Sequence, residues 1–207
     1  MPHDGHDHSK TFVPDEEESL NDFAIEEMAI RELLIEKGIF TADEFRRSLE
    51  VLDSRSPETG AAVVARAWTD PAFRERLLRD GNAAVAEYGV EMGDTVLYTV
   101  ENTPDVHNVV VCTLCSCYPK PLLGVPPDWY KSRNYRARTV REPREVLKEF
   151  GTDIPESKEV RVHDSTADLR YLVLPERPQG TDGMSAKELA ALVTRDAMIG
   201  VTLVQKS

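Results

Sequence analysis

The first half of the chain carries the repeat of apolar positions that is typical of amphipathic helices. Apolar residues recur three and four positions apart over residues 21–37, which predicts a helix that ends at Gly38. The segment 41–44, Thr-Ala-Asp-Glu, has the pattern of a capping box and predicts the start of a second helix. We expect Pro57 and Gly60 to end that second helix.

Short helices are predicted to continue to about residue 88. The apolar segment 61–68 predicts a third helix, and Asp70 before Pro71 predicts the N-cap and the first residue of a fourth. We expect Gly81 to break the fourth helix and residues 82–88 to add a further turn or two. Wide apolar faces joined by short links favour an arm that needs a partner surface to cover it.

From about residue 94 the pattern changes to that of strands. Residues 95–100 and 106–111 are rich in β-branched side chains and are separated by a polar turn, so both are predicted to be strands. The later elements are expected in this order: a proline-rich loop at 119–127, a helix at 143–150, strands at 159–162 and 169–174 with a turn at His163-Asp164-Ser165, and a last helix at 185–198.

Together these elements predict an α+β protein with three parts. Residues 1–20 form an acidic, histidine-containing tail that we expect to be mobile, residues 21–93 form a helical arm, and residues 94–207 form an α/β domain with a candidate metal site. The tail has three histidines, at positions 3, 6 and 8, which can bind a metal weakly or pass one to another site.

The overall composition argues against several classes of function. The 207 residues include 37 acidic and 25 basic ones and give a formal net charge of −12. No nucleic-acid partner is expected, because phosphate binding needs a basic surface. No membrane partner is expected either, because no apolar run is long enough to span a bilayer. The N-terminus lacks the basic and apolar regions of a secretory signal, so we expect a cytoplasmic protein.

The three cysteines of the chain, Cys112, Cys115 and Cys117, lie within six residues directly after the second predicted strand. An odd number that is clustered so tightly is not a disulfide framework. Four interpretations are open at this point: a zinc site completed by His107, a redox-active C-x-x-C pair, a compact loop that wraps a single ion, and an inert loop.

Each functional interpretation makes its own structural demand. Structural zinc usually draws its ligands from two separate cysteine pairs, and the chain has no second pair. A redox pair normally begins a helix, and Pro119 and Pro121 work against a helix immediately downstream. A single residue between two ligating cysteines, as at Ser116, turns amides toward the ion, and deprotonated amide nitrogen suits trivalent cobalt or iron rather than zinc.

Several segments around the cysteines carry a resemblance to a known family. The main ones are 101–119, which contains Cys-Thr-Leu-Cys-Ser-Cys at 112–117, and 123–131, Leu-Gly-Val-Pro-Pro-Asp-Trp-Tyr-Lys. Shorter matching segments follow in order at 135–138, 140–144, 172–178 and 194–201. Over residues 21–201 the chain resembles the α-subunit of nitrile hydratases.

The resemblance implies an enzyme subunit that hydrates a small-molecule nitrile to the amide and is active only with its partner. It implies a helical N-terminal arm, a layered α/β/β/α body, and a β-subunit, as one chain or split into two, that meets the metal at the interface. It also implies a metal-loading activator protein. Thr113 follows the pattern of the cobalt members, so cobalt(III) is expected rather than iron(III), with zinc only in immature protein.

The resemblance also implies how the metal is held. The sulfurs of Cys112, Cys115 and Cys117 and the backbone nitrogens of Ser116 and Cys117 are the expected ligands. In the family the residue at Cys115 becomes a sulfinate and the one at Cys117 a sulfenate, which are successive stages of cysteine oxidation. Cys117, Cys115 and Ser116 are therefore the expected catalytic residues.

Position 120 departs from the family's pattern. Most nitrile hydratases have Trp after the Tyr-Pro pair that follows the cysteines, whereas this chain has Lys120 after Tyr118-Pro119. We expect Tyr118 and Lys120 to line the substrate pocket. The homologous γ-subunit of thiocyanate hydrolase carries a basic residue at this position, so that activity is the alternative. Two further possibilities are a free α-subunit that serves as a metal-loading intermediate and a Lys120 that is only a solvated surface residue.

The remaining candidates are interpreted as structural. His107 and His163 are expected to be hydrogen-bonded or exposed rather than catalytic. A cluster of arginines is expected to form a subunit interface or surface ion pairs rather than an anion site; it comprises Arg136, Arg138, Arg141 and Arg144.

Overall fold

The computed structural model describes residues 20–206, and their side chains from Asp22 onward. The expected tail with its histidines lies outside the described residues. The helices of the described part are α1 Leu20–Glu36, α2 Ala42–Asp53, α3 Pro57–Thr69, α4 Pro71–Arg79, α5 Gly81–Ala86, α6 Lys120–Leu123, α7 Asp128–Lys131, α8 Arg133–Arg141, α9 Pro143–Glu149, α10 Ala186–Leu192 and α11 Arg195–Ile199. Its strands are β1 Val96–Glu101, β2 Val106–Val111, β3 Glu159–Asp164 and β4 Leu169–Leu174. Over residues 20–206, none of the helices is both long and apolar enough to cross a bilayer.

The N-terminal helices begin at the predicted caps. Thr41 opens α2 through a complete capping box: its Oγ1 accepts from the Glu44 N–H at 3.1 Å, and the Glu44 carboxylate accepts from the Thr41 N–H at 2.7 Å. Asp70 caps α4 by accepting from the Phe73 N–H at 3.0 Å. Gly81 does not only break α4, because it is also the first residue of α5.

Helix α3 begins at Pro57, earlier than the predicted start at Ala61, and it contains Gly60. The prediction that Pro57 and Gly60 are helix ends was wrong. Proline is tolerated at the first position of a helix, where the missing N–H has no partner within the helix. Gly60 lies at a close packing contact, because a Cβ there would overlap the Leu123 side chain and lie 2.8 Å from the sulfur of Met198, so both side chains would have to move.

The four strands form two separate two-stranded parallel sheets, β1 with β4 and β2 with β3. The prediction of a turn at residues 163–165 was wrong for its first two positions, because His163 and Asp164 continue β3 and pair with the end of β2. The register places Asp164 beside Val111, the last residue of β2. The two strands are far apart in the sequence, so a local pattern of residues cannot predict that they pair.

Helices α3, α4 and α5 share one hydrophobic core with the strands. Residues such as Val63, Phe73 and Val85 lie in the same buried cluster as Val109 of β2 and Leu172 of β4. Within the described part of the chain, neither α1 nor α2 contributes a residue to that cluster.

The apolar side chains of α1 and α2 instead remain in contact with solvent. The largest exposed ones are Phe23, Ile25, Met28, Ile30, Leu33, Leu49, Val51 and Leu52. An apolar surface of this extent is typical of a region that a partner covers.

The segment after the cysteines is more helical than predicted. A single helical turn, α6, follows at Lys120–Leu123 within the expected proline-rich loop, with Pro121 in its first turn. Helix α8 is opened by Ser132, whose Oγ accepts from the Tyr135 N–H at 3.1 Å. The expected last helix is two helices, because Thr194 leaves the helical path and caps α11. The α+β class is confirmed by the mixture of helices and small parallel sheets.

Candidate metal centre

The three cysteines converge where β2 ends. We call the segment Cys112–Cys117 the claw. The Sγ atoms of Cys112 and Cys115 are 3.5 Å apart, and those of Cys115 and Cys117 are 3.2 Å apart. All three sulfurs lie within 4.8 Å of one another, which is close enough for them to share one ion. Cys112 is buried, Cys117 is half-buried and Cys115 is exposed, so the cluster opens from the end of the strand toward the surface.

The claw is fixed to β3 through Asp164. Its carboxylate accepts from the Thr113 N–H at 2.9 Å and from the Thr113 hydroxyl at 2.6 Å. The Ser165 N–H also donates to the carbonyl oxygen of Val111 at 2.7 Å. These bonds follow from the parallel register, which brings the carboxyl ends of β2 and β3 to the same edge of their sheet.

The other end of the claw is held by aromatic side chains. The Tyr130 hydroxyl donates to the carbonyl oxygen of Cys117 at 2.8 Å. The Tyr118 ring packs edge-on against Tyr130 with 5.2 Å between ring centroids. Burial raises the pKa of both phenols well above the usual range, so both stay neutral at physiological pH. The claw is therefore anchored on both sides, by a strand and by α7.

The sulfurs share protons in the unmodified, metal-free thiol form. The hydrogen bond from Cys117, followed by that from Cys112, lowers the pKa of Cys115. Burial and the bond to Cys115 raise the pKa of Cys117. The Cys115 N–H also donates to the Cys112 sulfur at 3.3 Å. Cys115, the exposed cysteine, thus forms its thiolate more readily than Cys117 does.

The donor set fits a soft or borderline ion better than a hard one. Three thiols within reach of one point are ligands for zinc, cobalt or iron and not for magnesium or calcium. His107 does not complete the set, because its Nε2 donates to the Gly200 carbonyl oxygen at 2.7 Å and its Nδ1 lies 3.3 Å from the Asn102 amide nitrogen. The residues therefore fit an ion that is shared by the three cysteine sulfurs.

The expectation for a redox-active pair is also not met. A helix does follow the claw, despite Pro119 and Pro121, but it begins at Lys120 rather than at Cys115. The N-terminal end of that single turn does not lie at the C-x-x-C cysteines, so it supplies no helix dipole to their thiols.

The two expected pocket residues differ in their surroundings. Lys120 is exposed, and its N–H donates to the Tyr118 carbonyl oxygen at 2.7 Å. Tyr118 is 2% exposed, and its hydroxyl is buried without a hydrogen-bond partner. Of the two, only Lys120 presents its side chain to the surface near the claw.

His107 and His163 are tied into a buried polar network rather than to the claw. Asn102 accepts from the N–H of Asn108 at 2.7 Å, and His163 lies 2.8 Å from the amide oxygen of Asn108. Burial lowers the pKa of His107 and of His163, so both are neutral near pH 7. Their role in the structure is to tie the strands to Gly200 and to one another.

The arginines divide into two groups. Arg138 is paired with Glu149 through two bonds of 3.0 and 2.6 Å, and Arg144 donates to the Ile154 carbonyl oxygen at 2.8 Å. The guanidinium groups of Arg138 and Arg144 are thus both hydrogen-bonded to other residues of this chain. Arg136 and Arg141 line a groove beside the claw instead.

Sequence reasoning missed Asp164 and Tyr130 as partners of the claw. Asp164 had one visible signal, since it is a carboxylate at the end of a predicted strand and such ends carry functional groups in parallel sheets. Tyr130 had none, because its bond to Cys117 depends on the fold of the intervening loop.

Comparison with known proteins agrees with this geometry. The family described as "Nitrile hydratase, alpha chain" matches residues 21–202. The cobalt-containing nitrile hydratase subunit alpha of Pseudonocardia thermophila is 54% identical over 177 residues, which cover 84% of this chain and 86% of that protein. The thiocyanate hydrolase subunit gamma of Thiobacillus thioparus is 45% identical over 198 residues, which cover 90% and 82%.

The same relationship is visible in three dimensions. A solved structure of a double mutant of the Fe-type nitrile hydratase from Comamonas testosteroni Ni1 superposes with a TM-score of 0.86 at 43% identity, covering 91% of this chain and 93% of that one. The family match and the superposition both extend along nearly the whole described chain. The chain therefore belongs to the nitrile hydratase α-subunit family.

Proposed function

We propose that this chain hydrates a nitrile to its amide at a cobalt(III) ion held by the claw. The observation that carries the proposal is the convergence of three sulfurs within 4.8 Å of one another at the end of β2, in a chain of this family. The sulfurs of Cys112, Cys115 and Cys117 would hold the ion together with the backbone nitrogens of Ser116 and Cys117. When bound, the ion supplies Lewis acidity toward the nitrile.

The claw's own residues supply the nucleophile. With Cys115 as a sulfinate and Cys117 as a sulfenate, the Cys117 oxygen, or a water that it activates, attacks the nitrile carbon. If an activated water attacks, its oxygen would become the amide oxygen directly. If the Cys117 oxygen attacks, that oxygen would leave with the amide as its S–O bond breaks, and a water oxygen would replace it on the sulfur. In both routes one water is consumed, and its two protons end on the nitrile nitrogen as the C≡N bond becomes the C–N bond of the amide. The exposure of Cys115 and the half-burial of Cys117 support the assignment of the oxidised sulfurs to these two residues, because both are accessible to oxidation.

The choice of cobalt rests on Thr113. Its hydroxyl and its N–H both bind Asp164, so the residue that marks the cobalt members also fixes the claw to β3. Relatives named as cobalt-containing support this choice, while the Fe-type structure makes iron the alternative. Zinc is expected only in immature protein, since an unmodified thiolate claw also suits zinc.

The remaining organisation is proposed on the same basis. A β-subunit, as one chain or two, would cover α1 and α2, whose apolar side chains are exposed. A metal-loading activator protein would deliver the ion. The proposal also divides the chain into a tail (1–20), an arm (21–93) and a metal-binding domain (94–207), with α3, α4 and α5 of the arm packed against the strands of the domain. It includes the α/β/β/α layering of the body and a cytoplasmic location, which suits free clustered thiols.

Thiocyanate hydrolysis is the second candidate. Lys120 favours it, because a lysine that is exposed three residues after the claw offers a cation to an anionic substrate. The thiocyanate hydrolase subunit gamma of Thiobacillus thioparus is among the relatives. A free α-subunit that carries metal before assembly is compatible with either activity.

One set of measurements tests the proposal. The chain is purified with its cognate partner subunit, its metal content is determined by elemental analysis, and turnover of a nitrile and of thiocyanate is compared. We expect about one cobalt per claw, nitrile turnover, near inactivity of the isolated chain, and three added oxygens on the claw peptide by mass spectrometry. Turnover of thiocyanate without nitrile turnover would select the second candidate, and stoichiometric iron would overturn the choice of metal.

The sulfurs are tested by Cys115→Ser and Cys117→Ser. Each variant should lose activity and keep its fold, because neither side chain belongs to the hydrophobic core. Circular dichroism and thermal melting provide the control for folding. An active complex with three unmodified thiols would rule out the sulfenate mechanism.

A further inference from the structure

The two ends of the claw are held by two residues that lie next to each other. At its start, the N–H of Ser165 donates to the carbonyl oxygen of Val111, the residue before Cys112, at 2.7 Å. At its end, the hydroxyl of Tyr130 donates to the carbonyl oxygen of Cys117 at 2.8 Å. Ser165 directly follows β3 and Tyr130 belongs to α7, so two elements that are distant in the sequence meet at the claw.

The side chain of Ser165 is buried, and the fold makes no other use of it. Ser165 is 2% exposed, and its Oγ forms no well-aligned hydrogen bond within residues 22–206. The group beside it is the hydroxyl of Tyr130. Its interaction with Ser165 lowers the pKa of Tyr130, against the larger and opposite effect of burial. A buried hydroxyl whose hydrogen bond is left unmade is destabilising, which favours a bond between these two neighbours.

The Tyr130 hydroxyl can accept the bond that Ser165 offers. Its single proton goes to the Cys117 carbonyl oxygen, so the lone pairs of its own oxygen are left as acceptors. The side chain of Tyr130 is fully buried, so bulk solvent does not compete for them. The Ser165 hydroxyl rotates freely enough to point its proton at that oxygen. In a buried site the second bond polarises the phenol and strengthens the bond to Cys117.

We propose that Ser165 is a positioning residue for the claw and acts through the hydroxyl of Tyr130. Its O–H donates to the Tyr130 oxygen and its N–H holds Val111, so one buried chain of hydrogen bonds fixes the spacing between the first and the last cysteine. The spacing matters because three sulfurs must reach one ion together, and a loose end raises the entropic cost of gathering them. The inference rests on the proposed function in one respect, namely that the claw is a metal site.

The test is a double-variant cycle on the full chain. It compares wild type, Ser165→Ala, Tyr130→Phe and the variant that carries both changes. Each change removes one hydroxyl and leaves the rest of the side chain, and circular dichroism checks the fold. Thr99→Val is the matched control, because Thr99 also has a buried hydroxyl without a partner within the described residues. It lies on β1, which pairs with β4 and not with the strands at the claw.

Two properties are measured on each variant. The dissociation constant of Co(II) is obtained by titration against a competing chelator, and the position of the thiolate-to-metal absorption band reports the geometry of the claw. We expect Ser165→Ala to bind Co(II) about fivefold more weakly and Tyr130→Phe about tenfold, each with a shifted band. The variant with both changes should lie within about twofold of Tyr130→Phe, since Ser165 acts through Tyr130. Thr99→Val should keep the affinity and the band of wild type.

A purely structural role of Ser165 gives different results. If its hydroxyl is only an unpaired buried group, removing it relieves a desolvation cost. Co(II) binding by Ser165→Ala that is unchanged or tighter therefore overturns the proposal. The proposal also fails if the loss in the variant with both changes equals the product of the two single losses, because Ser165 then acts independently of Tyr130.

A measurement without metal separates this outcome from that of the proposed function. The initial rate of alkylation of Cys117 by iodoacetamide is followed in the same variants, and fragmentation of the claw peptide in the mass spectrometer locates the label. Cys117 is half-buried, so its labelling should be about threefold faster in Ser165→Ala and in Tyr130→Phe, with no further gain in the variant with both changes. If wild type binds no cobalt, the proposed function fails while these rates still decide the role of Ser165. Equal rates in Ser165→Ala and wild type overturn it.

Discussion

The two hydrogen bonds between Asp164 and Thr113 predict that the exposed carboxylate of Asp164 controls the affinity of the claw for its metal. Asp164 accepts two hydrogen bonds from Thr113, at 2.9 and 2.6 Å, from a position at the end of a neighbouring strand. In Asp164→Ala both bonds are lost, and the first residues of the claw are then held only by the backbone. The apo claw must sample more conformations, which raises the entropic cost of gathering three sulfurs around one ion.

The size of the effect follows from the number and exposure of these bonds. A hydrogen bond to a charged group contributes about 1.5–3 kcal/mol when buried, and the exposure of this pair reduces that to roughly 1 kcal/mol each. A loss of about 2 kcal/mol corresponds to roughly 30-fold weaker cobalt binding. The cobalt affinity of Asp164→Asn should lie between those of wild type and Asp164→Ala, because the amide oxygen can still accept from the Thr113 N–H.

The assay measures the dissociation constant of Co(II) from the isolated chain by titration against a competing chelator. The thiolate-to-metal absorption band reports how much Co(II) is bound. Asp168→Ala is the matched control, since Asp168 is exposed in the following loop and its backbone oxygen accepts from the Val96 N–H at 2.8 Å. The melting temperature should change little in either variant, because neither side chain is in the core. If Asp164→Ala binds cobalt as tightly as Asp168→Ala does, the positioning role is refuted.

Three other predictions concern the pocket, the backbone and pH. Lys120→Trp should shift kcat/KM toward small apolar nitriles by about tenfold relative to bulky polar ones; unchanged relative rates in a substrate panel would make Lys120 a surface residue only. Gly200→Ala should lower the free energy of unfolding by about 2 kcal/mol or more, because Gly200 has φ +88° and a Cβ there would overlap the carbonyl oxygen of Asn108. Urea denaturation measures this free energy, and a loss below about 0.5 kcal/mol contradicts the prediction. Burial lowers the pKa of His107 below the ordinary histidine value of 6.5. The unfolded state therefore takes up the proton first, and stability that is present above pH 6.5 is lost as the pH falls below it. Thermal melts of wild type and His107→Gln between neutral and acidic pH test this, and identical slopes would show that His107 is not responsible.

Local interactions explain which helices could be read from the sequence. Caps such as Thr41 with Glu44 and Asp70 with Phe73 join residues three positions apart, so the pattern that creates them is contained in the sequence itself. The same is true of the claw, whose sulfurs meet because Cys112, Cys115 and Cys117 are separated by only one or two residues.

Sequence patterns gave wrong predictions where a residue type occurs both at the end of a helix and at its start or interior. Pro57 and Gly60 are typical of helix ends, yet the first begins α3 and the second lies inside it against Leu123 and Met198. Thr194 interrupts the predicted last helix for the opposite reason, because capping α11 satisfies the Ala197 N–H at 3.1 Å. In each case packing between distant elements decided which use applied.

The sequence by itself thus determined the α+β class, most helix starts and the clustering of the three cysteines. Only the tertiary structure decided what holds and surrounds them. Asp164 reaches Thr113 across 51 residues because β2 and β3 pair in parallel, and the arginines of α8 divide between internal carboxylates and an open groove because of how that helix packs. Interactions between residues far apart in sequence depend on strand register and helix orientation, which are set by burial of the whole core and leave no local pattern to read.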